Sequence, residues 1–163
     1  MSDLRQLAME AMGLALDRAE HARTQGEMHA LFAPLAEALW WSAVLDDSFW
    51  KSDCARYSAL RKHEGHVDLM VGLRYARNRL THDIDITGMH GLMEGATFPL
   101  TFPLRFRGWR WRCINDLPSA GRKDEEREKA YKAALEGRDV EETLRDAADF
   151  LRGYLDRVGS GGA

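Results

Sequence analysis

His66-Val67-Asp68-Leu69-Met70-Val71-Gly72-Leu73-Arg74-Tyr75-Ala76-Arg77-Asn78-Arg79-Leu80-Thr81-His82 is the stretch whose reading decides the fold. Leu69, Leu73, Ala76 and Leu80 recur at three- and four-residue spacing, which predicts one amphipathic helix from about His66 to His82 with that row as its buried stripe. Near the end of the helix, partly off the stripe, Arg77, Asn78 and His82 spell R-N-x-x-x-H. Arginine holds a phosphate and the charge developing on it, and histidine moves a proton near neutral pH. Such a set can do phosphodiester chemistry without a metal. Few other parts of the chain suggest chemistry, so the functional expectation leans on these residues.

Two more helices precede this one. Leu4, Leu7, Ala8, Ala11, Leu14 and Ala15 carry the same period, which Thr24-Gln25-Gly26 interrupts. Leu31, Leu35, Leu39, Val44 and Leu45 mark the next helix, with Pro34 in its first turns and Trp40 and Trp41 near its middle. This segment is apolar almost all round, as a central core helix is. Asp53 is placed to cap a short helix running through Arg61, and Glu64-Gly65 reads as a break.

Beyond the motif the period changes to two. Phe98, Leu100, Phe102, Leu104 and Phe106 alternate with Thr97, Pro99, Thr101, Pro103 and Arg105, which predicts a half-buried strand. Pro99 and Pro103 lack ladder donors and make it an edge strand. Arg107-Gly108 reads as a tight turn, and Trp109 to Cys113 as the return strand of a β-hairpin at about 97–113. Such a hairpin must pack on the helices or on a partner. The alternation sends both tryptophans toward the core and leaves Arg105, Arg107, Arg110 and Arg112 on an outer basic face.

After the loop Asp116 to Gly121, Lys123–Glu136 is expected as a charged, solvent-facing helix ending at Gly137. Asp139 with Glu142 resembles a capping box for a last helix carrying Val140, Leu144, Ala147, Ala148, Leu151, Leu155 and Val158. The expectation is a mainly α protein. It is one domain over residues 1–158, an antiparallel helical bundle with one β-hairpin inserted before the C-terminal helices, and a flexible tail at 159–163.

Composition sets outer bounds. The chain has 163 residues, 45% of them hydrophobic and 30% charged, enough for one domain with a real core. Mean hydropathy is −0.45, and no membrane span or signal peptide is expected. Cys54 and Cys113 are the only cysteines and have no metal-like spacing, so a reducing cytoplasm is the default. A net charge of −3 argues against indiscriminate nucleic-acid binding by the whole surface and leaves room for a local basic patch.

A helical bundle with R-N-x-x-x-H near the end of its third long helix resembles the HEPN superfamily, small helical domains of which many are RNases of toxin, phage-defence and RNA-decay systems. The likeness rests on Arg77, Asn78 and His82 plus the helical context of about residues 1–90. The hairpin departs from a minimal bundle. The resemblance implies a homodimer in which two copies of the motif face each other and cut RNA without metal or cofactor. His82 would act as general base or acid, Arg77 would stabilise charge on the phosphate, and Asn78 would orient a side chain or the phosphate. Products would carry 2′,3′-cyclic phosphate ends.

Five residues of separation place Arg77 and His82 about 140° apart on an ideal helix, whereas Arg74, Asn78 and His82 align. Arg74, Arg79 and the hairpin arginines Arg105, Arg107, Arg110 and Arg112 are the candidate nucleic-acid contacts, the last four beside Trp109 and Trp111. Set beside these is a plainer reading, in which Arg77 pairs with a carboxylate and His82 is a helix-end residue favoured by the dipole. His63, His66, His82, Asp83 and Asp85 invite a metal-dependent HD-type phosphohydrolase as a weaker alternative. Trp40, Trp41, Phe49 and Trp50 read as core or dimer-interface aromatics. The alternative from another class is a non-catalytic HEPN-like module that binds RNA or a protein partner, such as an antitoxin, inhibitor or accessory protein.

Overall fold

Small residues on one face set the first helix pair. In a computed structural model, which describes residues 2–81, 86–89, 109–117 and 124–160, α1 (Ser2–Thr24) buries Met12, Ala15, Leu16 and Ala19. At one end Arg5 Nε donates to Ser48 Oγ at 2.8 Å; at the other Arg18 pairs with Glu37. Helix α2 (Phe32–Ser52) therefore runs antiparallel to α1. The turn between them is built on Gly26 at φ 76°, with Glu27 N–H donating to the Ala22 carbonyl at 2.9 Å. Pro34 sits in the first turn of α2, where no intrahelical donor is lost.

Helix α3 (Cys54–His63) is capped as expected, the Asp53 carboxylate accepting from Arg56 N–H at 3.0 Å. Gly65 at φ 74° turns the chain into α4 (Val67–Leu80), which buries Leu69, Met70, Leu73, Tyr75 and Ala76. Leu80, expected in the stripe, is only partly buried. Gly72 is where α4 meets α5 (Glu125–Ala134): a Cβ there would lie 3.2 Å from the Tyr131 Cα and 3.3 Å from the Ala130 carbonyl oxygen.

That contact corrects one expectation. The charged α5 is not a purely solvent-facing helix. Ala130, Tyr131 and Ala134 form a narrow buried face, and the Tyr131 hydroxyl donates to the Arg112 carbonyl at 2.7 Å. Only three small or aromatic side chains carry that face, too few to stand out among ten residues so rich in charge. Helix α6 (Val140–Ser160) has the clean amphipathic pattern, with Asp139 accepting from Glu142 N–H at 3.0 Å. Its Phe150 and Tyr154 complete an aromatic cluster with Phe49 and Tyr57.

Of the expected hairpin, only the return arm, Trp109 to Cys113, lies among the described residues. Strand β2 (Trp109–Trp111) pairs antiparallel with β1 (Thr87–Met89), in the register Thr87↔Trp111 and Met89↔Trp109. Its other edge is closed by residues before α6: Trp111 N–H donates to the Arg138 carbonyl at 3.1 Å, and Gly137 N–H donates to the Trp111 carbonyl at 2.9 Å. Both edges of β2 are thus occupied by described residues; the expected first arm of the hairpin, 97–106, lies outside the described residues. Period-two patterning marks a strand but not its neighbour, and Thr87–Met89 is too short to show a period at all.

The tryptophans point as the alternation predicted. Trp111 is fully buried with Nε1 donating to Thr143 Oγ1 at 2.7 Å, and Trp109 Nε1 donates to the Met28 carbonyl at 2.9 Å. Among the described residues the molecule is a mainly helical bundle with one two-stranded ribbon. One core cluster draws buried residues from all six helices and from β2. The segment Met28–Ser52 is long and apolar enough to cross a membrane by length and composition; here it is the central helix, half of it buried against its neighbours.

Candidate functional site

Two acidic residues stand together in the mostly apolar α2, and α4 is fastened to them. Asp46 is 1% exposed. Its carboxylate accepts from Arg74 at 2.6 Å and from the Tyr57 hydroxyl at 2.8 Å, with Arg61 at 3.5 Å. Arg74 also reaches Asp47 at 2.5 Å. Two carboxylates and two guanidinium groups thus balance, which is the condition under which a buried charge is tolerated. Burial, and then the charge of Asp46, push the Tyr57 hydroxyl well above the usual tyrosine range, so it stays a donor. Arg61, itself buried, donates to the Val67 carbonyl at 3.3 Å, and its guanidinium stacks between the Trp50 and Tyr57 rings.

In this network the charge of Arg74 is answered by two carboxylates, and the residue joins α4 to α2. Sequence reasoning missed Asp46, Tyr57 and Arg61. The available signal was Asp46-Asp47 in an apolar helix, since a charge there needs a buried partner.

One turn later the surroundings change. Arg77 is half-buried, with its guanidinium over the Trp40 ring at 5.4 Å from the centroid. Its Nε is buried without a hydrogen-bond acceptor, and among the described residues no carboxylate pairs with it. Among the described residues of α4, it is Arg74 that makes the carboxylate pairs. Asn78 is also half-buried; its carbonyl accepts the Thr81 hydroxyl at 2.7 Å where α4 ends. His82 lies outside the described residues, as do Asp83, Asp85, Arg105 and Arg107.

The remaining arginines are dispersed. Arg79 is two residues from Arg77, about 200° round the helix. It lies on the α5 side, where its charge acts on Tyr75 and Tyr131. Arg110 pairs in the ribbon opposite Gly88 and bridges to Asp139. The Arg112 backbone is fixed by Ile86 and Tyr131. Leu80, Thr87 and Trp109 line one small apolar cavity with Phe32, Leu35 and Leu39, which seats the end of α4 between α2 and the ribbon. The structure therefore brings Arg77 to Trp40, and ties Arg74 to α2 and Arg79 to the α5 side.

Among the described residues no three His, Cys, Asp or Glu side chains come together to hold a metal. His66 stacks on Phe150 at 4.6 Å, and His63 is exposed. A broad groove of about 570 Å³ between α1 and the start of α2 is lined by Leu14, Asp17, His21 and Glu27 and is spanned by the Arg18–Glu37 pair. No family model, curated protein or solved structure matches this chain.

Proposed function

We propose that the chain is a HEPN-like, metal-independent endoribonuclease of the toxin or phage-defence type, acting in the cytoplasm as a homodimer. The observation that carries this reading is the contrast on α4: Arg74 is neutralised by Asp46 and Asp47, while Arg77, beside Asn78 at the helix end, has no carboxylate partner among the described residues. An arginine without a carboxylate partner is available to a phosphate oxygen. In the proposed reaction His82 removes the proton of a ribose 2′-hydroxyl, whose oxygen attacks the adjacent phosphorus. The 5′-oxygen leaves and takes a proton, and a 2′,3′-cyclic phosphate remains. Arg77 stabilises the charge on the phosphoryl oxygens, and Asn78 orients the phosphate or a neighbouring side chain. Such a step needs no cofactor.

The test is cleavage of total RNA by purified protein in EDTA, for wild type, Arg77→Ala and His82→Ala, with end-group analysis. Cyclic-phosphate products that disappear in both variants support the reading. Identical products from all three proteins overturn it.

A second reading is favoured by a different observation. Leu4, Leu7 and Leu14 on α1 and Trp40 and Val44 on α2 are exposed, Leu4 at 73%. Apolar side chains grouped on one helix pair suit a non-catalytic module that binds a protein partner. On that reading Arg77→Ala and His82→Ala leave function intact, whereas Leu7→Lys abolishes partner capture.

A further inference from the structure

Trp40 and Trp41 are neighbours in sequence with opposite environments. Trp41 packs against the core, whereas Trp40 is 49% exposed. A half-exposed indole gains little of the burial that accounts for its neighbour. What it touches is the Arg77 guanidinium. Arg74 and Arg77, three residues apart, are thus held by opposite means: oxygens of Asp46 and Asp47 for one, an electron-rich ring face for the other.

The difference has a chemical consequence. A carboxylate orients a guanidinium but neutralises it and occupies its N–H donors. An aromatic face orients the same plane by stacking, removes no charge and leaves the in-plane donors for an anion. Arg77 Nε is buried and has no oxygen acceptor, so on that side the group is restrained by packing rather than by hydrogen bonds. An arginine that must meet a phosphate in one orientation, at full charge, needs this kind of support.

We infer that Trp40 is the positioning residue of Arg77, fixing its guanidinium by cation–π stacking so that its free donors face a phosphate. The inference rests on the ribonuclease reading for what Arg77 acts on, and on the stack itself for how Arg77 is held.

Two readouts test it on the full chain, with Trp40→Leu, Trp40→Phe, Arg77→Ala and the double variant Trp40→Leu/Arg77→Ala. In the proton–nitrogen NMR spectrum the Arg77 Nε–H signal, assigned by its loss in Arg77→Ala, is displaced upfield by the indole ring. It moves to the position of a solvated arginine in Trp40→Leu and stays displaced in Trp40→Phe. With RNA, Trp40→Leu lowers kcat about fivefold with KM unchanged. Trp40→Phe restores most of the rate, and the double variant is no slower than Arg77→Ala alone. An undisplaced signal in the wild type overturns the inference. So does wild-type kcat in Trp40→Leu when Arg77→Ala is inactive. If Arg77→Ala cleaves as wild type does, the ribonuclease reading falls, and the Nε–H signal decides the positioning by itself: loss of displacement in Trp40→Leu sustains it, and an unchanged signal removes it.

Discussion

Arg74 and Arg77 sit one turn apart on α4 and look alike in sequence, yet the fold treats them as different chemical objects. Arg74 closes a charge-balanced knot around the buried Asp46, with Asp47, Tyr57 and Arg61. Arg77 lies on an indole at the rim. The lesson is that residue type and helix period do not assign an arginine its role; the partner on the next helix does. An arginine between carboxylates is an internal strut. One against a ring alone, as Arg77 is against Trp40, has no carboxylate partner among the described residues.

The comparison breaks most visibly at Asp46. Replacing it by alanine leaves Arg61 and Tyr57 buried without their acceptor and should cost about 3–5 kcal/mol. Urea unfolding of Asp46→Ala measures this; a loss below about 1 kcal/mol would mean that the knot does not hold α4 to α2.

Gly72 is the next largest. It lets the α4 backbone approach Tyr131 of α5, so Gly72→Val should cost about 1–3 kcal/mol through overpacking and shift the arginine-bearing helix. A thermal melt reads the cost, and RNA cleavage reads the shift. Full stability in Gly72→Val would show that α5 yields freely at the crossing.

Tyr57 gives a pH signature of the knot. Its hydroxyl pKa is raised in the folded protein above the ordinary value of 10.0, by burial first and by Asp46 next. The neutral form is therefore favoured by folding. The stabilisation is fully present below pH 10 and is lost as pH rises above that value, because the unfolded chain then releases a proton that the folded one retains. Tyr57→Phe should cost about 1 kcal/mol at neutral pH, from the lost hydrogen bond to Asp46, and should flatten the alkaline limb. An alkaline limb as steep in Tyr57→Phe as in wild type would assign it to other tyrosines, Tyr131 among them.

The smallest effect sharpens the comparison from the other side. Arg77→Ala should change stability by no more than about 0.5 kcal/mol while removing RNA cleavage. A large stability loss there would put Arg77 in the same class as Arg74.

Much of the architecture was legible along the chain. The period of three and four gave α1, α2, α4 and α6; Asp53 and Asp139 marked two helix starts, and Gly26, Gly65 and Gly137, all at positive φ, marked breaks. These signals are local, carried by residues within a turn or two of one another. The face of α5 was hidden because it consists of a few small residues at one close crossing. The partner of β2 was hidden because strand pairing is a long-range choice. The R-N pair at 77–78 was legible as a motif; the half-exposed Trp40 beneath it was not, since it comes from a helix 37 residues earlier in the chain.

Sequence alone determined that this is a mainly helical protein with Arg77 and Asn78 near the end of one amphipathic helix, because helix period and capping are written in neighbouring residues. Tertiary structure decided which strand β2 joins and which arginine is bound into the interior. It also decided that Arg77 is set against the Trp40 ring. Those outcomes depend on atoms brought together from distant segments, where burial forces every charge to find its partner or stay at the surface.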